Sequence, residues 1–226
     1  MTMHQAPRVK VCCISSLAEA ELAIRYGASA LGLVSAMPSG PGVIEEDMIA
    51  EIAARIPPPI ATFLLTSKQD VGSIIEQQRR LRANTIQLVD RLEQGNYDDL
   101  RAALPGISLV QVIHVTGEES VEEALSVAAH VDAILLDSGN QKLAVKELGG
   151  TGRTHDWTLS RKIREAVTAP IFLAGGLKPE NVADAIRSVE PFGLDLCSGV
   201  RTDGKLDDTK LARFFENIAS LSAYSK

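Results

Sequence analysis

PIFLAGGLKPENVADAIRSVEPFGLDLCSGV, residues 170–200, is the stretch whose reading decides the fold. It opens on an apolar run, PIFLA at 170–174, breaks on Gly175 and Gly176, and then spaces Val182, Ala185, Ile186 and Val189 along one helical face. A second apolar run, GLDLC at 193–197, follows and gives way to Ser198 and Gly199. A strand, a crossover helix and a second strand in so short a span describe one βαβ unit, with its two strands parallel.

The same rhythm extends outward through the chain. Six further strand candidates are RVKVCCI at 8–14, ALGLV at 30–34, IATFLL at 60–65, TIQLV at 85–89, SLVQVIHV at 108–115 and DAILL at 132–136. Helical spacing recurs at Met48, Ile49, Ile52, Ala53 and Ile56, at Val121, Ala124, Leu125 and Ala128, and at Leu211, Phe214, Phe215, Ile218 and Leu221. Ser16, Ser120 and Asp156 stand where helices should start, with Pro179 at a first-turn position, and Gly27 and the prolines 57–59 stand where helices should stop. Eight strands alternating with helices in 226 residues predict an α/β chain folded as a single (β/α)8 TIM barrel. An open doubly wound sheet has the same alternation. No linker or low-complexity stretch divides the chain, so the expectation is one barrel domain over 8–226 behind a disordered tail at 1–7.

Composition narrows the function classes. At 45% apolar the chain can bury a large core, and its 4% aromatic content beside abundant aliphatic residues suits buried parallel strands. A net charge of −6 repels nucleic acid and anionic membrane surfaces, so neither is an expected partner. Any anion must be held locally. The expected partner is a phosphorylated small-molecule substrate, and the chain is expected as a monomer or homodimer. Cys12, Cys13 and Cys197 are odd in number with two adjacent, which fits no disulfide framework. With no apolar leader in MTMHQAPR, the expected location is cytoplasmic. The histidines at 4, 114, 130 and 155 have no ligand spacing, and no metal is expected.

In a barrel the chemistry sits at the C-terminal strand ends, with phosphate commonly at the late ones. Those ends carry Cys12 and Cys13, Ser39, Gln87 and Asp90, His114, Asp137, Gly175 and Gly176, and Ser198 and Gly199. Between the sixth and seventh strands lies ELGGTGRTHDW at 147–157. Bare backbone at three neighbouring ends predicts a phosphate corner built from Gly150, Thr151, Gly152, Gly175, Gly176, Ser198 and Gly199. Taken singly, each has a plainer reading: AGG is a tight turn, a buried cysteine is a small core residue, and an aspartate before Ser-Gly forms a turn. In RVKVCCI, strand alternation sets Lys10 and Cys12 on one face and Val11 and Cys13 on the other, so one cysteine is expected in the barrel mouth.

Val9-Lys10-Val11-Cys12, LLDS at 135–138, GGTGRTHDW at 149–157, LAGGLKPENV at 173–182 and DLCSGV at 195–200 resemble, in order and spacing, signature segments of the phosphoribosylanthranilate isomerase family of tryptophan biosynthesis. The resemblance runs from about Val9 to the C-terminal helix. It implies a (β/α)8 barrel that carries out an Amadori rearrangement of an aminoribose phosphate to a 1-deoxyribulose phosphate, with no metal or organic cofactor. It also implies Cys12 as general base and Asp137 as general acid. Such a base must be a thiolate, favoured by positive surroundings, and such an acid must stay protonated, favoured by burial or a nearby anion.

Five positions depart from the family pattern. The arginine of a Ser-x-Arg motif, which pairs with the anthranilate carboxylate, is Pro41 within SGPG. Gln-Leu-His-Gly is Gln87-Leu88-Val89-Asp90, the glycine after the cysteine is Cys13, and the glutamate after SGV is Arg201. The phosphate and acid-base positions are kept while the aromatic side has changed. Gln87, Arg153 and Arg201 are the expected substrate contacts, the two arginines as replacements for the lost guanidinium; Arg80 lies off the correct loops. His114 and Asp90 could pair beside the altered pocket. Two alternatives remain: an isomerase of the same fold whose sugar phosphate lacks the anthranilate carboxylate, and a non-catalytic phosphate-binding barrel.

Overall fold

The computed structural model describes residues 6–139, 152 and 154–223. All eight expected strands form: β1 (Arg8–Val11), β2 (Ala30–Val34), β3 (Ala61–Thr66), β4 (Thr85–Leu88), β5 (Ser108–His114), β6 (Ala133–Asp137), β7 (Ile171–Leu173) and β8 (Gly193–Leu196). Each pairs in parallel with the next, and β8 returns to β1 with Leu196 opposite Val11. That last pairing closes the barrel; an open sheet would leave β1 and β8 without their shared ladder.

Around the barrel run α1 (Leu17–Tyr26), α2 (Glu46–Arg55), α3 (Val71–Leu81), α4 (Tyr97–Ala103), α5 (Glu119–Val127), α6 (Trp157–Ala166), α7 (Val182–Val189) and α8 (Asp208–Ala223). Their starts follow local chemistry. Ser16 caps α1 by accepting from the Glu19 N–H at 3.2 Å, and Asp156 caps α6 by accepting from the Thr158 N–H at 2.8 Å. Gly27 ends α1 in the left-handed region, at φ 108°.

Three local expectations need correction. Ser120 lies within α5, where its hydroxyl donates to the His114 carbonyl and accepts from the Thr116 N–H, tying the helix to β5 instead of capping it. Pro179 precedes α7 by a turn rather than opening it. Leu125 is half exposed, so the apolar face of α5 is narrower than the spacing suggests. A 3-10 turn at Ser198–Val200 and a hairpin of β9 (Arg201–Thr202) and β10 (Lys205–Leu206), absent from the sequence reading, link β8 to α8. The expected tail falls largely on residues 1–5, outside the described residues.

Strand alternation divides the apolar residues into two cores. Val11, Leu31, Leu64 and Leu136 face outward and pack under the helices with Ile49, Ile74, Ala185 and Phe214. Ala30, Phe63, Leu65, Val110, Leu135 and Phe172 fill the barrel interior, where Phe63 and Phe172 meet edge to face at 5.9 Å. The interior also holds charge. Lys10 is fully buried and pairs with Asp195 at 2.8 Å, from the directly opposed register position on β8. Gly32 on the neighbouring β2 makes the space: a Cβ there would lie 2.7 Å from Cys12 Sγ and 3.1 Å from Lys10 Nζ.

Candidate active site

The barrel mouth opens into a cavity at the C-terminal strand ends. Its walls include Cys12 and Cys13 after β1, Ser39, Gly40 and Pro41 after β2, Gln87 on β4, Asp137 on β6, Gly152, Gly175 and Gly176, and Ser198 after β8. Of the residues expected from sequence, Cys12, Asp137, Gln87, Gly152, Gly175, Gly176 and Ser198 therefore share one wall system. Gly150, Thr151 and Arg153 lie outside the described residues.

Cys12 and Asp137 stand on either side of the β7 and β8 ends, so the glycines of those ends lie between them. Both side chains are nearly buried. Asp137 Oδ1 accepts from the Ser138 N–H at 2.7 Å, which fixes the carboxyl at the end of its strand. Next to it, His155 Nε2 lies 2.6 Å from Ser160 Oγ at the start of α6. Burial pushes the His155 pKa down, against the pull of Asp137 and Asp156, so its imidazole is neutral at physiological pH.

The charge around Cys12 comes from within the barrel. A hydrogen bond from Cys13 draws the Cys12 thiol below its ordinary value; burial opposes this, and the Lys10 ammonium reinforces it. Burial disfavours charge on Lys10 itself, but the Asp195 carboxylate and the neighbouring Cys12 and Cys13 together more than offset that, and its pKa rises. A fixed positive charge thus lies beneath the sulfur, further stabilised 5.2 Å from the Phe63 ring centroid. The sequence reading missed Asp195, although an inward lysine on β1 already called for a carboxylate inside the barrel.

Cys13 corrects a second expectation. Strand alternation placed it on the outer face, but β1 ends at Val11 and Cys13 adopts a left-handed backbone with φ 62°. That turn brings its thiol into the mouth, 3.6 Å from the Pro41 carbonyl. Contacts with Cys12 and Cys197, together with burial, push its pKa up, so it stays a neutral donor. A cysteine in the glycine's place thus buttresses both Cys12 and the β2–α2 loop.

The remaining polar residues divide into those facing the cavity and those engaged elsewhere. Gln87 Oε1 is buried and has no hydrogen-bond partner among the described residues. His114 Nε2 lies 3.0 Å from the Val89 carbonyl. Arg80 pairs with Glu46 on the helix layer. Arg201, expected to contact substrate, is instead turned to Glu19 and to the carbonyls of Cys12 and Cys13, because those buried acceptors surround its guanidinium.

The glycine-rich ends are packed against one another. Gly175 and Gly176 have φ of 81° and 61°, and a Cβ on Gly152 would lie 3.5 Å from Ser198 Oγ. Gly199 stands behind the cavity wall, where a Cβ would fall 1.9 Å from the Leu177 carbonyl oxygen, an impossible approach. Gly199→Ala must therefore push the 198–200 turn away from the Gly175–Gly176 loop. We expect a loss of about 1–3 kcal/mol in stability, read as a lowered Tm in thermal unfolding.

Comparisons with known proteins converge. The family model for N-(5'-phosphoribosyl)anthranilate isomerase matches residues 9–217. The N-(5'-phosphoribosyl)anthranilate isomerase of Methanosarcina acetivorans is 35% identical, over 96% of this chain and 95% of its own length. Phosphoribosyl anthranilate isomerase from Thermotoga maritima superposes with a TM-score of 0.78 at 29% identity, covering 95% of this chain and 99% of the other. A phosphoribosyl anthranilate isomerase solved with reduced 1-(o-carboxyphenylamino)-1-deoxyribulose 5-phosphate superposes with a TM-score of 0.76 at 27% identity, with the same coverage.

Proposed function

Because the chain belongs to the N-(5'-phosphoribosyl)anthranilate isomerase family, we propose that it rearranges phosphoribosylanthranilate to the 1-deoxyribulose phosphate, with Asp137 as general acid and Cys12 as general base. One observation carries this assignment: a buried carboxyl and a thiol drawn below its ordinary pKa flank a single cavity on either side of the glycine-rich strand ends. Asp137 gives its proton to the furanose ring oxygen, and the C1′–O bond breaks as the nitrogen lone pair forms the protonated imine. Cys12 then takes the C2′ proton, the C2′–H electron pair forms the C1′=C2′ double bond and the C=N π pair returns to nitrogen, giving the enolamine, which tautomerises to the ketone.

The phosphate lies among the backbone N–H groups of Gly152, Gly175, Gly176 and Ser198, with Gly199 allowing the close packing behind them; Gly150 and Thr151, also expected there, lie outside the described residues. Gln87 contacts the rest of the substrate, and Arg153, the other expected contact, lies outside the described residues. Among the described residues lining the cavity there is no arginine to meet the anthranilate carboxylate. The same feature favours one second reading, a sugar phosphate without that carboxylate. No helix among the described residues is long and apolar enough to cross a membrane. With three free thiols, a cytoplasmic enzyme fits this reading.

Purified protein mixed with freshly generated phosphoribosylanthranilate should show loss of anthranilate-type fluorescence at a rate proportional to enzyme. Absence of turnover, with aminosugar phosphates lacking the carboxylate still converted, would replace the proposed substrate by the second reading.

A further inference from the structure

The guanidinium of Arg201 ties its own hairpin to the far end of the sequence, at the Cys12–Cys13 turn and at Glu19 of α1. Its Nη2 donates to the Cys13 carbonyl at 2.6 Å and to the Cys12 carbonyl at 3.2 Å, while Nη1 donates to the Gly204 carbonyl at 2.9 Å. Both nitrogens also meet the Glu19 carboxylate of α1, at 2.9 and 3.1 Å. The two side chains are only 8% and 13% exposed. Glu19 is itself held on both oxygens, accepting from the Leu206 N–H of the hairpin at 2.9 Å and from the Ser15 N–H at 3.0 Å.

The turn that this pair holds is an unfavourable one. Cys13 adopts a left-handed backbone that residues with a Cβ avoid, and it does so immediately after the residue assigned as base. Strand β1 ends at Val11, and backbone bonds still anchor the turn on either side, the Cys12 N–H donating to the Leu196 carbonyl at 2.8 Å and the Ile14 N–H to the Gly32 carbonyl at 3.0 Å. The carbonyls of Cys12 and Cys13 between them are taken by Arg201, and Glu19 fixes Arg201.

We infer that Arg201 is a positioning residue: braced by Glu19, it holds the Cys12–Cys13 turn so that the Cys12 thiol faces the substrate. The inference rests on the proposed role of Cys12 as base. Its motive is geometric, since the guanidinium reaches backbone oxygens and a carboxylate but no atom assigned to contact substrate.

The test is steady-state kinetics with phosphoribosylanthranilate, together with thermal unfolding, for wild type, Arg201→Gln, Arg201→Lys and Glu19→Gln. A base misplaced by a fraction of an ångström should lower kcat roughly ten- to a hundredfold with KM within about twofold. Arg201→Lys keeps the charge and one donor, so it should recover part of that loss, and Glu19→Gln should show a smaller fall in kcat in the same pattern. A lowered Tm with unchanged kcat would make the brace purely structural and overturn the inference. A raised KM at unchanged kcat would overturn it too, by making Arg201 a substrate contact. If Arg201→Gln does not fold, Glu19→Gln decides by the same criteria. An inactive wild type would overturn the proposed function and this role together, whereas an active wild type matched in kcat by Arg201→Gln overturns this role alone.

Discussion

Cys12→Ser should fold, bind substrate with a nearly unchanged KM, and turn it over about 10²- to 10⁴-fold more slowly, the range contributed by one general base. Each factor of ten corresponds to roughly 1.4 kcal/mol in the barrier. Serine nearly preserves the shape of the side chain, but its hydroxyl is not ionised at neutral pH, whereas the Cys13 hydrogen bond and the Lys10 charge both act to lower the Cys12 thiol. Asp137→Asn should fall comparably, since the amide keeps an acceptor for the Ser138 N–H yet has no acidic proton for the ring oxygen. The pH profile provides an independent check. The acid limb of wild-type kcat/KM should lie below 9.0, the ordinary thiol value, because the thiolate is favoured in the folded site. Full kcat in Cys12→Ser would remove the base assignment regardless of the fold.

How far the sequence anticipates this site differs by element, for physical reasons. The barrel is legible because each strand is a short aliphatic run and each helix repeats every third or fourth residue, so local pattern alone phases β1 to β8. Asp137, Gln87, Gly175 and Ser198 are legible because in a barrel a strand end is already a location. Cys13 is not, because alternation applies only while the strand continues, and nothing in KVCCIS marks Val11 as the last strand residue. Arg201 is illegible for another reason. It stands two residues after Gly199, in a loop where a substrate contact is a natural expectation, but its partner Glu19 is 182 residues away. A long-range buried pair overrides the local position, and only three-dimensional packing reveals it.

Lys10→Met should have the second large effect, lowering stability by about 3–5 kcal/mol, the usual consequence of removing one member of a buried ion pair. For a chain of this length that corresponds to a Tm lower by roughly 6–20 °C. Methionine fills nearly the same volume, so the loss comes from electrostatics: Asp195 remains inside the barrel without its counter-charge. The pH dependence follows from the direction of the Lys10 shift. Folding raises its pKa above the ordinary 10.5, so its contribution is complete below that value and is lost only as pH rises through the still higher folded value. The wild-type excess over Lys10→Met should therefore hold from neutral pH up to about 10. Because Lys10 also lowers the Cys12 thiol, the variant's acid limb in kcat/KM should move to higher pH. Lys10→Met combined with Asp195→Leu should recover much of the lost stability, since neither charge is then left alone, but it should not return the acid limb to its wild-type position. Recovery of the Tm without recovery of the pH profile would separate the two functions of Lys10: stability depends on its pairing with Asp195, and thiolate formation depends on its charge.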